Sequence, residues 1–140
     1  MRVFSFFLLL LLLSCSKSRR TEKRLEGTWK ATFVKVENGE GFTLYDSLPE
    51  GNLNFDASTY TLDGKISFKT KNISGQQQQD SLDFNLVKFE ILNQNDLLEI
   101  YKFPDTIKLS IVQLTPFDLQ IEYYDSENYS LKKITFNKLN

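Results

Sequence analysis

From position 25 onward, apolar and polar residues alternate in short runs. Trp29, Ala31 and Phe33 are separated by Lys30 and Thr32, and Leu53 and Phe55 are separated by asparagine. Tyr60 and Leu62, Ile66 and Phe68, and Phe84 and Leu86 repeat the pattern. So do Ile107, Leu109 and Ile111, then Leu119, Ile121 and Tyr123, then Ile134 and Phe136. A period of two gives a strand one buried and one wet face. The runs are broken by turn formers, among them Asn38-Gly39, Asp63-Gly64, Ser74-Gly75, Pro104-Asp105 and Thr115-Pro116. Strands are therefore predicted near 27–36, 51–56, 59–62, 65–71, 82–92, 96–103, 106–114, 118–124 and 130–138, with a short extra one at 42–45. Asp63-Gly64 reads as a two-residue hairpin turn, because glycine meets the positive φ of a type I′ turn cheaply.

Short links between successive strands imply an antiparallel meander. Eight or more strands with one apolar face can bury it by curling shut, which also removes the exposed edges. The expected fold is thus all-β, an antiparallel up-and-down barrel of eight to nine strands, with a two-sheet sandwich as the alternative. The expected inward set is Phe33, Phe55, Phe68, Phe84, Leu86, Phe89, Ile100, Leu109, Ile121 and Phe136. Eight strands enclose a space just filled by side chains or just wide enough for one small ligand.

The N-terminus follows another pattern. Arg2 is followed by an uncharged run, 3–13, that includes six consecutive leucines at 8–13. This is too short for a spanning helix, which needs about 20 residues, and it has the layout of a secretory signal. It ends Leu12-Leu13-Ser14-Cys15, which resembles the bacterial lipobox. The resemblance implies cleavage after Ser14 and acylation of Cys15, the only cysteine in the chain. The expected organisation is a signal peptide over 1–14, a lipidated cysteine with a basic flexible tether over 15–25, and a barrel domain over 26–140. Two or more acyl chains anchor a protein stably without spanning the bilayer. Ser16 and the basic run after it match neither an inner-membrane retention signal nor a surface-export signal. The expected address is therefore the outer membrane, facing the periplasm.

Composition narrows the chemistry. Removing Arg2 from the 17 Lys and Arg leaves 16 against 18 Asp and Glu, a mature charge of −2. Beyond Leu25 the basic residues are scattered, so nucleic acid is not an expected partner. Histidine is absent, which closes off imidazole acid–base sites, Ser-His-Asp triads and the usual zinc sets. Glu90, Glu99, Glu122 and Asp118 are candidate carboxylates because they lie within predicted strands, but alternating strands turn such residues outward. No enzymatic activity, metal or cofactor is expected. Phe42, Tyr45, Phe103, Phe117, Tyr124 and Tyr129 sit at or beside predicted turns, as barrel-end caps or as contacts for a partner.

The segment Leu25-Glu26-Gly27-Thr28-Trp29-Lys30 resembles the entrance to the first strand in the lipocalin superfamily. The order of lipobox, short tether, Gly-Thr-Trp-Lys and the 55–61 turn is similar to small lipocalin-like lipoproteins of Bacteroidota. Asp46-Ser47-Leu48, Asp80-Ser81-Leu82 and Asp105-Thr106-Ile107 resemble glycosylation sites of the same bacteria. The lipocalin resemblance implies that Trp29 fills the closed end of the barrel, that Gly27 lets the backbone cross beneath it, and that Lys133 or Lys138 covers the ring. Two functions fit: a membrane-anchored module binding a small hydrophobic ligand, or a filled barrel displaying loops to an envelope protein.

Overall fold

The computed structural model describes residues 19–39, 41–72, 74–92 and 96–140. Nine strands follow one another: β1 (Gly27–Asn38), β2 (Thr43–Asp46), β3 (Glu50–Asp56), β4 (Thr61–Lys71), β5 (Gln77–Leu92), β6 (Leu97–Lys102), β7 (Asp105–Leu114), β8 (Asp118–Asp125) and β9 (Ser130–Lys138). All pair antiparallel, each with its neighbour in sequence from β3 to β9. β9 then returns to β1, from Trp29 opposite Lys138 to Asn38 opposite Ser130. The result is a closed eight-stranded up-and-down barrel, not a sandwich. β2 and β3 pair with successive halves of the same edge of β1 and so act as one interrupted strand. Asp46 pins the interruption: its carboxylate accepts the Leu48 amide at 3.0 Å and the Lys69 amide at 2.8 Å.

Bulges decide which residues reach the core. In β1 the register slips between Ala31 and Phe33, and the Thr32 hydroxyl donates to the Thr135 carbonyl at 3.2 Å. The extra residue reverses the alternation, so Val34 and Val36 are buried and Phe33 is only half-buried. In β5, Leu86 has a φ of 48° and is 68% exposed, while Phe84 and Phe89 are buried. Phe33 and Leu86 therefore leave the expected inward set. Phe55, Phe68, Phe84, Phe89, Ile100, Leu109, Ile121 and Phe136 keep their places, joined by Leu53, Leu62, Ile66, Leu98, Leu119 and Ile134.

Asp63-Gly64 is not a hairpin turn but the bend of one continuous strand, β4. Gly64 has a φ of 122°, and a Cβ there would lie 2.3 Å from the Asn52 carbonyl oxygen across the pair. The glycine serves a close backbone approach at a bulge rather than a reversal. The reversal comes earlier, at 57–60. There the Asp56 carboxylate accepts the Ser58 amide at 2.9 Å, the Ser58 hydroxyl at 2.6 Å and the Thr59 amide at 3.2 Å.

The N-terminal boundary also shifts. Residues 19–25 are helical rather than a loose tether, and Leu25 is buried in the core. Thr21, Glu22 and Leu25 turn toward the barrel, whereas Arg19, Arg20, Lys23 and Arg24 are exposed. This i, i+3, i+4 division is what an amphipathic helix requires. The Glu22 carboxylate beside Tyr60 raises that phenol above its ordinary range.

Trp29 locks this end. Its side chain is fully buried, and its Nε1 donates to the Leu25 carbonyl at 2.7 Å. Lys138, rather than Lys133, covers the ring: its Nζ lies 5.0 Å from the ring centroid and donates to the Arg24 carbonyl at 3.0 Å. Gly27, with a φ of 115°, leaves the space that the Lys138 side chain crosses, since a Cβ would stand 2.9 Å from Lys138 Cε. Trp29→Ala should destabilise the fold by about 3–5 kcal/mol, the usual cost of deleting a large buried aromatic. Chemical denaturation followed by circular dichroism checks this, and an unchanged midpoint would contradict the packing role.

Candidate functional site at the barrel mouth

The strand ends Asn38 and Thr43, Lys71 and Gln77, Lys102 and Asp105, and Asp125 and Ser130 lie at the end of the barrel opposite Trp29 and surround its mouth. β9 brings Ser130, Lys132, Ile134 and Phe136 inward in strict alternation. The two deeper residues are apolar and join the core, and the two nearer the mouth are polar. Lys132 is 1% exposed, and its ammonium bonds Asp80 on β5 and Asp125 at the end of β8, the latter at 2.5 Å. In the closed ring β5 lies four steps from β9 in either direction. The Lys132–Asp80 pair is therefore a strut across the lumen. The ammonium also lies 5.7 Å from the Tyr123 ring centroid and 5.8 Å from that of Phe68, within reach of cation–π attraction.

The electrostatics follow from this packing. Burial opposes the charge on Asp125, but hydrogen bonds from Lys132 and Asn128 and the Lys132 charge outweigh it, lowering its pKa to about 2. Burial pushes the Tyr123 phenol far above its ordinary range, and the nearby Asp80 and Asp125 carboxylates add to the effect. Tyr123 is therefore a neutral wall at any physiological pH. Two buried hydroxyls at this end, Thr70 Oγ1 and Ser130 Oγ, have no hydrogen-bond partner. Leaving such a group unsatisfied costs about 1–3 kcal/mol, and Ser130, which lines a pocket at the mouth, is a position where a bound molecule gains by making a bond.

Two pockets open here. One, of about 270 Å³, is lined by Val36, Asn38, Phe42, Lys71, Asn72 and Ser130, among others. The other, of about 510 Å³, exposes Asp80, Leu82, Ile107, Tyr123, Asp125 and Lys132. Asn128 is common to both. A third, wider depression of about 590 Å³ lies at the interruption between β2 and β3, beside Leu48 and Pro49.

Phe42, singled out in the sequence, lines the smaller of these mouth pockets, but the anchor, barrel-closing and carboxylate residues fall elsewhere. Gly27 and Trp29 sit at the opposite end, and Cys15 lies outside the described residues. Glu90 and Glu99 face each other across β5 and β6, but on the outer wall, where Tyr101 donates to Glu90 at 2.8 Å and Lys108 lies 3.7 Å from Glu99. Glu122 pairs with Lys133 at 3.2 Å, and Asp118 accepts from Asn137 at 2.8 Å. No reacting constellation forms among them. Among the described residues no group of His, Cys, Asp and Glu is arranged to hold a metal ion, and no helix is long and apolar enough to cross a membrane. Ser47, Ser81 and Thr106, the hydroxyl residues of the three glycosylation-like motifs, are exposed. Lys132 was legible in principle: stepping back by two from Phe136 and Ile134 reaches it.

Two outcomes test the strut. Lys132→Met should cost about 3–5 kcal/mol, because two carboxylates are left facing each other without a cation. Adding Asp80→Asn and Asp125→Asn to that variant should recover part of the loss in urea titrations. The second test is pH. The folded pKa of Asp125 lies below its ordinary 3.8, so its contribution is complete above that value and is lost as pH falls toward 2. The stability difference between wild type and Asp125→Asn should stay constant from pH 8 to about 5 and shrink between about 4 and 2.

No protein-family model and no curated protein matches the chain. Solved structures similar to it include bovine odorant-binding protein in complex with undecanal, at 19% identity and a TM-score of 0.43, covering 83% of this chain and 72% of that one. A de novo designed fluorescence-activating β-barrel is similar at 11% identity and a TM-score of 0.42, covering 85% and 97% of the two chains. A dog lipocalin allergen is similar at 18% identity and a TM-score of 0.38, covering 81% and 72%.

Proposed function

We propose that this chain is a lipocalin-like binding module of the cell envelope, lipidated at Cys15, held on the outer membrane facing the periplasm, and non-enzymatic. Its barrel takes a small amphiphilic ligand at the mouth. The observation that carries the ligand reading is the pair of unpartnered hydroxyls, Thr70 and Ser130, buried at the open end. They lie at the same end as the Asp80–Lys132–Asp125 bridge, which can both donate and accept. The polar part of a ligand would bond these groups, and its apolar part would lie on Leu82, Ile107 and Tyr123. The deeper lumen is already occupied by Phe55, Phe68, Phe84 and Phe136, each at most 2% exposed. A small hydrophobic molecule therefore has its place at the mouth rather than in the centre.

A second reading rests on a different feature. Phe103 is 99% exposed, and Tyr101, Tyr124 and Tyr129 are also exposed near the same end. Aromatic side chains so displayed suit contact with an envelope protein.

Native mass spectrometry of an exported Cys15-less form separates the two. Under the ligand reading a small co-purifying mass is retained by wild type and lost on combining Thr70→Val with Ser130→Ala. A bare wild-type protein, unchanged in thermal melting by small amphiphiles, would leave the interaction reading in its place.

A further inference from the structure

The end of the barrel away from the mouth carries its own surface. The helix at 19–25 is fixed to the barrel on one side, by Leu25 in the core, by Glu22 against Tyr60 and by the Arg24 carbonyl on Lys138. Its other side presents Arg19, Arg20, Lys23 and Arg24 to solvent. Exposed apolar groups accompany them at the same end. Phe117, in the turn between β7 and β8, is 68% exposed, and Leu139, after β9, is 46% exposed. The Lys138 amide bonds the Phe117 carbonyl at 2.8 Å, and the Leu139 amide bonds the Thr28 carbonyl at 2.8 Å. These contacts place both residues beside Trp29. Exposed Glu26, Asp63 and Asp96 lie at this end too, but none interrupts the four basic residues of the helix.

The geometry points to this basic, aromatic-edged end as a docking face for an anionic lipid bilayer, with the mouth held away from the membrane. The inference rests on reading Cys15 as the attachment point. Only three residues separate Cys15 from Arg19, so the two are at most about 14 Å apart along fully extended chain. An anchor that short brings the basic side of the helix to the headgroups and leaves little room for the barrel to turn over. Basic residues next to an anionic surface each strengthen attachment about fivefold, and salt screens that gain. Phe117 and Leu139 suit the headgroup boundary, where apolar side chains bury shallowly. A ligand would then reach the mouth from the aqueous side.

The chain has a single tryptophan, Trp29, at the docking end, which serves as a native distance probe. The mature chain beginning at Cys15 is coupled through its one thiol to maleimide lipids in vesicles that also hold a dansyl-labelled lipid. Chemical coupling imposes the anchor, so a docking failure cannot be confused with a failure of lipidation, which is read separately by lipid labelling of Cys15 in cells. Energy transfer from Trp29 to dansyl should be stronger in phosphatidylglycerol vesicles than in phosphatidylcholine vesicles. It should fall toward the phosphatidylcholine level in 0.5 M salt (about one-third the Debye length of 0.05 M). Converting Arg19, Arg20, Lys23 and Arg24 together to glutamine should abolish the difference while leaving the circular dichroism spectrum unchanged. Phe117→Ser should reduce transfer in anionic vesicles with the salt dependence intact. Equal transfer in the two lipids, or transfer indifferent to the fourfold substitution, would overturn the docking face.

Discussion

Everything in this molecule depends on β9 closing onto β1. Nine short strands in an open meander would leave two unpaired edges and one long apolar face, both costly in water. Pairing from Trp29 opposite Lys138 to Asn38 opposite Ser130 removes the outer edges and turns the apolar face into an interior. Closure also creates a new demand, because a ring of strands has two open ends. The two ends are finished with different chemistry. One is sealed by an indole, a buried leucine and a helix, the other by an ammonium between two carboxylates.

The difference is one of energetics as well as composition. At the Trp29 end every device adds favourable burial, and even the polar atoms of the indole and of Lys138 find carbonyl partners. At the mouth, Lys132 gives up its hydration to sit between Asp80 and Asp125. A buried ion pair of this kind roughly breaks even, because desolvation offsets most of the attraction. The strut is therefore a poor explanation for stability. It keeps the mouth polar and ties opposite walls of the ring at a fixed separation. An apolar plug of equal size would not present hydrogen-bonding groups to an incoming molecule.

Much of the wall was legible in the sequence because alternation survives wherever no bulge intervenes. In β9 the period of two runs unbroken, so Phe136 lies inward as alternation predicts, and Ile134 shares its face two positions back. In β1 and β5 one extra residue reverses the phase, and Phe33 and Leu86 turn away from the core, against simple alternation, for that reason alone. Asp63-Gly64 misled differently. The dipeptide is a strong turn signal, but positive φ also serves a strand that passes close to another backbone, and sequence does not separate the two uses. The helix at 19–25 leaves little trace in the sequence because its apolar stripe is a single residue, Leu25, with Glu22 held against Tyr60 from a distant turn. The mouth was least legible of all. Lys132 could be placed inward by counting back from Phe136, but its partner Asp80 is 52 residues away, at the end of a glutamine run, and only closure of the ring sets them opposite each other.

A lumen filled by phenylalanine, leucine and isoleucine separates stability from recognition. In a barrel that encloses its ligand, each change to the pocket also changes the core, and gains in affinity are set against losses in packing. Here the packed layers from Trp29 up to Phe68 carry the fold, while the groups with unmet hydrogen-bonding capacity lie above them. Ser130 and Thr70 can be altered with little consequence for the phenylalanines below, and the loop at 126–129 is further removed still. Such a division suits a scaffold whose closed end has a constant task and whose open end has a changeable one. The same axis that runs from Trp29 to Lys132 then separates what holds the protein together from what it can bind.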